Sequence, residues 1–502
     1  MRNQFYVFVL IVAIANAVFY FYWPVGLWNL VVFGPLVALG FRDMVQTRHA
    51  IKSNFPVLGQ FRYLFEKIRP EINQYFVESN TNGRPFSREQ RSIVYQRAKK
   101  VLDTIPFGTQ QDVYARGYEF VTHSMYPTHL DPSQLRTTVG SDRCTQPYSL
   151  SLLNISAMSF GSLSTRAVLA LNGGAFDDNF AHNTGEGGIS PYHLSPGGDL
   201  IWQIGTGYFG CRDKDGNFNP DLFHEKATLP QVKMIEIKLS QGAKPGHGGI
   251  LPGRKVNAEI AKIRNVEIGK DVLSPPGHSA FSNPEEMIDF IQRLRELSGG
   301  KPIGIKLCLG HHHEFNSLLQ AMINKNNYPD FIVVDGGEGG TGASPLEFTN
   351  YIGTPGTDSL VYVIDQLKKT GLKKHIKVIS TGKITTAFDI LRLLCIGADA
   401  TYAARSMMLA LGCIQALRCN DNHCPTGVAT QDPSLVKGLH TPSKRRRVAN
   451  FHRETIKTVA EMIGAMGLNA HTELSREHLM KRVDENIIRN YAELYPGVKT
   501  DV

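Results

Sequence analysis

Residues 4–41 read QFYVFVLIVAIANAVFYFYWPVGLWNLVVFGPLVALGF and carry no charged side chain. A membrane-spanning helix needs about 20 apolar residues, and this stretch is nearly twice that. Pro24 and Gly26 interrupt its middle. The pattern predicts two spans, at about 4–23 and 25–41, joined by a tight turn. Tyr20, Tyr22, Trp23 and Trp28 cluster at that turn, where an aromatic belt would sit. Arg2 precedes the first span, and Arg42, Arg48 and Lys52 follow the second. Both flanks are therefore expected in the cytoplasm, and the long remainder of the chain with them. A cleaved signal peptide fits less well, because the stretch is too long and lacks a small-residue cleavage pattern.

From 43 to 149 the pattern is mixed and polar. FRYLFEKIRPEINQYF and SREQRSIVYQRAKKVLDT show helical spacing, and Ser87 with Glu89 and Gln90 marks a helix start, so a mostly helical linker is predicted. From about 150 short apolar runs alternate with longer amphipathic stretches such as PEEMIDFIQRLREL and TTAFDILRLLCIG. Strands are predicted at 154–160, 231–239, 271–275, 302–308, 330–337, 375–382 and 400–406, with an eighth near 182–188. Strand–helix alternation implies parallel strands. Eight over about 260 residues predict a (β/α)8 TIM barrel spanning 150–433. A doubly wound open sheet is the runner-up, and no GxGxxG follows an early strand to support it. A helical C-terminal segment, 434–502, is expected to close the chain.

Composition changes this picture little. Hydrophobic residues make up 42% and charged residues 20%, as in a folded protein. Many of the 47 glycines fall in clusters such as GEGG, GHGGILPG and GGEGGTG, which suits backbone lying close to a ligand. The net charge of +9 lacks the aromatic–basic interleaving of a nucleic-acid binder. The basic run 444–447 (KRRR) reads as a solvated face, or one turned to phosphate or lipid headgroups. Seven cysteines do not make a secreted disulfide framework, and a reducing compartment with a metal or cluster site fits better.

Barrel enzymes work where strands end, and here those ends are chemically loaded. Ser159 and Gly161 lie in MSFG, Glu186 in NTGEGG, Gln241 and Lys244 in SQGAKPG, and Lys306 in IKL. Gly339 to Thr341 form GGT. Gly382–Lys383 and Ala404–Arg405 follow the last two predicted strands, where such barrels bind phosphate through backbone N–H groups and a fixed cation. Cys413, Cys419 and Cys424 fall within CIQALRCNDNHC. Structural zinc usually wants four protein ligands and a disulfide two, so the residues alone leave the role of three cysteines open. Cys144, Cys211, Cys308 and Cys395 read as ordinary core thiols. The HHHE run at 311–314 is either a metal site or a polar rim.

MSFGSLS (158–164), NTGEGG (183–188), QGAKPGHGGILPG (241–253), SPP (274–276), GGTGASP (339–345) and LGCIQALRCNDNHCPTGVATQ (411–431) occur in this order. Together they resemble the FMN-binding synthase domain of glutamate synthase. The resemblance implies an FMN barrel with a [3Fe–4S] cluster, reducing 2-iminoglutarate, formed from 2-oxoglutarate and ammonia, to L-glutamate. It implies that Cys413, Cys419 and Cys424 hold the cluster, one thiolate per iron, with Pro425 following as in other cluster motifs. Met158, Ser159, Gly161, Gly339, Gly340, Thr341, Gly382, Lys383, Ala404 and Arg405 would face FMN. Gln241, Lys244 and Arg264 would bind the dicarboxylate, with arginine as a fork and lysine as a point charge. Lys306 would lie by the flavin ring and stabilise its anionic reduced form, and Glu186 would handle protons on the amine.

The sequence also departs from that family. His247 stands where an acidic residue is expected, and MRNQFY offers no N-terminal cysteine nucleophile for a glutaminase. Ammonia or another amine is expected to arrive free or from a partner, which leaves room for a glutaminase or reductase subunit. No NAD(P)H fingerprint identifies the electron donor. Membrane lipid is the remaining expected partner. Two alternatives stay open: the same cofactors acting on a different amine or 2-oxo acid, and an electron-transfer module anchored to a membrane complex. The second needs no dicarboxylate clamp.

Overall fold

Short runs such as VKMIEIK and FIVVD are buried on both faces, as strands covered by helices on one side and a packed interior on the other must be. In the computed structural model, which describes residues 1–497, eight such strands close into one parallel barrel. They are β1 (Leu153–Ile155), β2 (His182–Asn183), β3 (Leu200–Ile204), β4 (Val232–Lys238), β5 (Ile303–Cys308), β6 (Phe331–Asp335), β7 (Lys377–Thr381) and β8 (Ala400–Ala403). Each pairs with the next, and β8 pairs with β1 through Tyr402 and Asn154.

The predicted barrel and its number of strands hold, but one strand was misassigned. Val272–Leu273, inside the predicted strand 271–275, pairs antiparallel with Ile250–Leu251 outside the barrel. The third barrel strand is instead LIWQI, Leu200–Ile204, every residue of which is buried. A five-residue run with no alternation, between Gly198–Asp199 and Gly205, offers little for a periodicity test to grip. The predicted first strand also ends early, at Ile155, so SAMSFG is loop.

The lower barrel interior is apolar, built from Ile201, Met234, Phe331, Val333 and Ile379. The hairpin Arg136–Val139 with Tyr148–Ser151 adds Val139 and Leu150 to that cluster. Alternation along the strands then places Asn183, Gln203, Glu236 and Lys306 above it, all buried.

The flanks are less helical than predicted. Between 43 and 149 the helices Ala50–Asn54, Gly59–Ile72 and Arg88–Lys99 are followed by the strand Glu119–Val121 and the hairpin above. After the helix Thr441–Ala465 the chain forms strands Leu479–Asp484 and Ile487–Asn490, and Glu119–Val121 joins them. Strands of three to six residues are too short to show a period. Positions 498–502 of the predicted C-terminal segment lie outside the described residues. Thr441–Ala465 packs on Thr165–Asp177, where a Cβ at Gly174 would stand 2.6 Å from Val448. The basic run sits on this helix, and Arg445 pairs with Asp177 at 2.6 Å rather than facing solvent alone.

Met1–Gly83 forms a separate compact unit from the residues after it. Arg2–Tyr22 and Pro24–Val45 are each long and apolar enough to cross a membrane, close to the spans predicted. Only 6% of either apolar window is buried. The two helices meet edge to face at Phe5 and Phe41 (5.5 Å), and Asn16 and Asn29 exchange side-chain hydrogen bonds at 3.0 and 3.2 Å.

Candidate active site

A cavity of about 660 Å3 opens at the C-terminal mouth of the barrel. The loops after β1, β2, β4, β6, β7 and β8 all reach it, as does the cysteine stretch. Of the residues singled out in the sequence, Met158, Ser159, Glu186, Gln241, Lys244, Lys306, Gly339, Gly340, Thr341, Gly382, Lys383, Ala404, Arg405 and the three cysteines line it. Gly161 and Arg264 do not. Arg264, on the helix Ala258–Arg264, is buried behind the β1 loop. One of its terminal nitrogens donates to Ser159 Oγ (3.1 Å) and to the Phe160 carbonyl (3.0 Å), and its Nε has no partner.

One wall of the cavity is cationic and glycine-lined. Arg405 Nη2 donates to the Glu338 carbonyl at 3.0 Å, and its guanidinium lies over the Phe86 ring. Burial first, then the nearby Arg405, pushes the Lys383 ammonium below its ordinary range, and burial does the same to Arg405. Two cations held at such cost in one wall suit a bound anion. A Cβ at Gly340 would come within 2.7 Å of the Arg405 side chain, so only glycine lets the backbone lie there undisturbed.

The opposite wall carries Glu186 and Lys244. Lys238 Nζ donates to Glu186 Oε1 at 2.7 Å. Burial would raise the Glu186 carboxyl, but Lys238, Arg264 and Lys244 outweigh it and hold it below the usual carboxylate range. The residue is therefore ionised at neutral pH. Lys244 Nζ donates to the Ala343 carbonyl at 2.8 Å. Burial, helped by Lys238, lowers its ammonium to about 8. Gln241 reaches Thr341 Oγ1 at 3.4 Å.

On the floor, Lys306 Nζ stands 3.5 Å from Asp335 Oδ2, both buried. Asp335 also accepts from the Gly242 N–H at 3.0 Å. Beneath them Gln203 Nε2 donates to Glu236 Oε1 at 2.5 Å. Burial raises the Glu236 carboxyl despite Lys306 and Gln203.

Cys413, Cys419 and Cys424 border the same cavity on a tight coil with positive φ at Gln415, Leu417 and Asn422. Burial raises Cys413 to about 12 and also raises Cys419. Burial pushes Cys424 the same way, but the Thr426 hydroxyl and backbone N–H groups hold it below an ordinary thiol. Lys255 Nζ donates to the carbonyls of Cys419 (2.8 Å), Ala429 (3.0 Å) and Ser162 (3.3 Å), tying the coil to the β1 loop. Gln431 Nε2 makes a second tie, to Gly161 O and Leu163 O. Among the described residues no three donors converge on a single ion. All three cysteines border one opening, with Lys255 beside Cys419.

Lys238, Asp335, Glu236 and Lys255 were not singled out from the sequence. For the first three the signal was present, since a charged residue in a strand buried on both faces must have a partner. Lys255 carried none. His247 packs edge-on against Phe348 and is not part of the lining, so that departure bears less on the cavity than its position in the motif suggests. His311 to Glu314 are exposed, and His312 stacks on Tyr362 at 3.8 Å. Burial raises Cys144, Cys211, Cys308 and Cys395, as for ordinary core thiols.

The conserved region in glutamate synthase matches residues 109–469. The chain is 38% identical over 494 residues to the glutamate synthase large subunit-like protein YerD of Bacillus subtilis, covering 90% of this chain and 94% of that one. It is 33% identical over 356 residues to an archaeal glutamate synthase (NADPH) of Methanocaldococcus jannaschii, covering 70% of this chain and 65% of that one. A mandelate oxidase structure aligns with a TM-score of 0.43 at 13% identity, covering 86% of this chain and 99% of that one, too distant to inform function. The motifs, the barrel mouth they line and these matches agree: the chain belongs to the glutamate synthase family of oxidoreductases.

Proposed function

We propose that this protein is a membrane-attached oxidoreductase that binds FMN and a [3Fe–4S] cluster and reduces the imine of 2-oxoglutarate and ammonia to L-glutamate. The observation that carries the reading is the meeting, around one cavity, of a cationic glycine wall, a lysine–glutamine wall and three cysteines. Bound there, FMN would supply the electron pair that reduces a carbon–nitrogen double bond, and the cluster the single electrons that recharge it.

Arg405, Lys383 and the Gly339–Gly340 backbone would hold the phosphate end. Lys306, fixed by Asp335, puts a positive charge on the floor, where electron density grows on reduction. Lys244 is poised for a carboxylate. Desolvation makes its charge costly, and an anionic substrate relieves that cost while displacing only one carbonyl contact. Arg264 acts on the substrate side by fixing Ser159 rather than by closing a fork on a carboxylate. Glu186, ionised beside Lys238, holds an iminium nitrogen, and the ammonium groups of Lys238 and Lys244 are the nearby proton donors. The enclosing loops exclude water from the reacting carbon.

Attachment to the membrane is supported by the paired apolar helices, exposed along their lengths and followed by basic residues on the cytoplasmic side. The electron donor would then be a partner at that surface.

The test uses anaerobically purified full-length protein, reduced and then mixed with substrates while the flavin spectrum is followed. Reoxidation requiring both 2-oxoglutarate and ammonia, with glutamate formed in equal amount, is expected. Reoxidation by another oxo acid or amine alone would shift the reading to a different substrate.

A further inference from the structure

The helix Gly59–Ile72 leaves one face uncovered. Phe61, Leu64, Phe65, Ile68 and Ile72 recur at intervals of three and four, one side of a helix. Arg62, Glu66, Lys67, Arg69 and Glu71 take the other side. Phe61 is 51% exposed, Leu64 48% and Phe65 58%, and the next turn adds Phe76 at 84%. A contiguous apolar strip this large on a folded protein marks a contact surface.

Its position within Met1–Gly83 says what covers it. Asp43, in the last turn of the second apolar helix, is 2% exposed. Its Oδ2 accepts the Val57 N–H at 3.0 Å and its Oδ1 accepts Gln60 Nε2 at 2.5 Å. At the start of the first apolar helix, Arg2 Nε donates to the Ser53 carbonyl at 2.7 Å. Both free ends of the apolar pair therefore grip the segment that leads into Gly59–Ile72, and the helix begins where the apolar pair ends. Between Arg42 and Ile72 there are six lysines and arginines against three acidic residues.

We propose that Gly59–Ile72, extended by Phe76, is an interfacial helix. It lies along an anionic lipid surface, its aromatic and aliphatic face in the headgroup–acyl boundary and its cations among the headgroups. The proposal rests on the hairpin crossing the membrane, as argued above. Its consequence is a short tether. Only the eleven residues 73–83 lie between Ile72 and Arg84, where the next compact unit begins.

Full-length protein reconstituted in phosphatidylglycerol–phosphatidylethanolamine vesicles doped with a diazirine-acyl lipid is irradiated, and adducts are mapped by mass spectrometry. Adducts on Phe61, Phe65 and Phe76 are expected, together with adducts on the hairpin as internal control. The double variant Phe61→Glu, Phe65→Glu should lose labelling of 59–77 at least fivefold with hairpin labelling unchanged, and vesicles of neutral phosphatidylcholine should label 59–77 less. A labelled hairpin with an unlabelled 59–77 overturns the interfacial helix and leaves the hairpin reading standing. No label on either overturns both. Amine cross-links from Lys67 to the barrel or to a second copy, without lipid adducts, assign the face to that contact and overturn the proposal.

Discussion

Lys238 Nζ donates to Glu186 Oε1 at 2.7 Å, and both side chains are nearly closed to water. The pair fixes the charge on Glu186. A buried carboxyl alone would drift toward neutrality, but here Lys238, Arg264 and Lys244 keep it ionised. In the proposed reaction it is an anchor for positive charge.

Replacing Glu186 with Gln should therefore abolish turnover while leaving flavin content near wild type. It should also cost about 3–5 kcal/mol of stability, because Lys238 is left buried without its counter-ion. The folded carboxyl lies below its unfolded value of about 4.3, so its stabilisation is present above that pH and fades as acid protonates it. Thermal melts carried from neutral pH to well below the unfolded value should show wild type losing more stability than Glu186→Gln, with the difference opening only below that value. Parallel curves would mean the carboxylate is not held by its neighbours.

Lys244 carries the opposite sign. Its ammonium is lowered to about 8, so it loses charge as pH rises through that value. Affinity for a dicarboxylate, read from perturbation of the flavin spectrum, should weaken above about pH 8. A charged hydrogen bond to a carboxylate is worth about 1.5–3 kcal/mol. Lys244→Met should thus bind roughly ten- to a hundredfold more weakly at pH 7, and the pH dependence should vanish with the side chain. Persistence of that dependence in the variant would assign it to another group.

The barrel was legible because strand ends carry a signal independent of strand length. SQGAKPG and STGK mark where β4 and β7 stop, whatever their periodicity. LIWQI carries no such mark, whereas DVLSP has the right length but supplies one strand of a two-stranded antiparallel pair outside the barrel. Within the site, residues in glycine motifs were found and their partners were not. The family resemblance points Arg264 at the substrate, but the seven-residue helix Ala258–Arg264 turns it behind Ser159. Lys255, two residues past LPG, meets carbonyls from positions 162, 419 and 429, and that closure exists only in the folded chain.

Lys255 gives the cysteine coil its own test. Its ammonium satisfies three carbonyls at once, and each buried acceptor left without a donor costs about 1–3 kcal/mol. Lys255→Met should loosen the coil, so that the cysteines of metal-free protein react faster with a thiol reagent, while flavin stays bound. Cys419→Ser should remove iron, expected at about three per chain, without removing flavin. Zinc in place of iron, in protein purified without oxygen, would refute the cluster.

The glycine wall predicts a difference between two neighbouring positions. A Cβ at Gly340 would stand 2.7 Å from Arg405, whereas one at Gly342 would meet nothing within 4 Å. Both glycines lie in the loop after β6, and neither has the positive φ that strains other residues. An alanine at either site therefore costs little in backbone strain, and the pair isolates the contact with Arg405. Gly340→Ala must push the guanidinium aside, away from its bond to the Glu338 carbonyl and its stack on Phe86. If that guanidinium holds the phosphate of FMN, a displacement of a few tenths of an ångström should weaken flavin binding about tenfold, or about 1.4 kcal/mol. Gly342→Ala should retain wild-type affinity, and riboflavin, which lacks the phosphate, should bind both variants alike. Flavin titration of deflavinated protein measures all three. Equal FMN affinity in the two variants would move the phosphate away from Arg405.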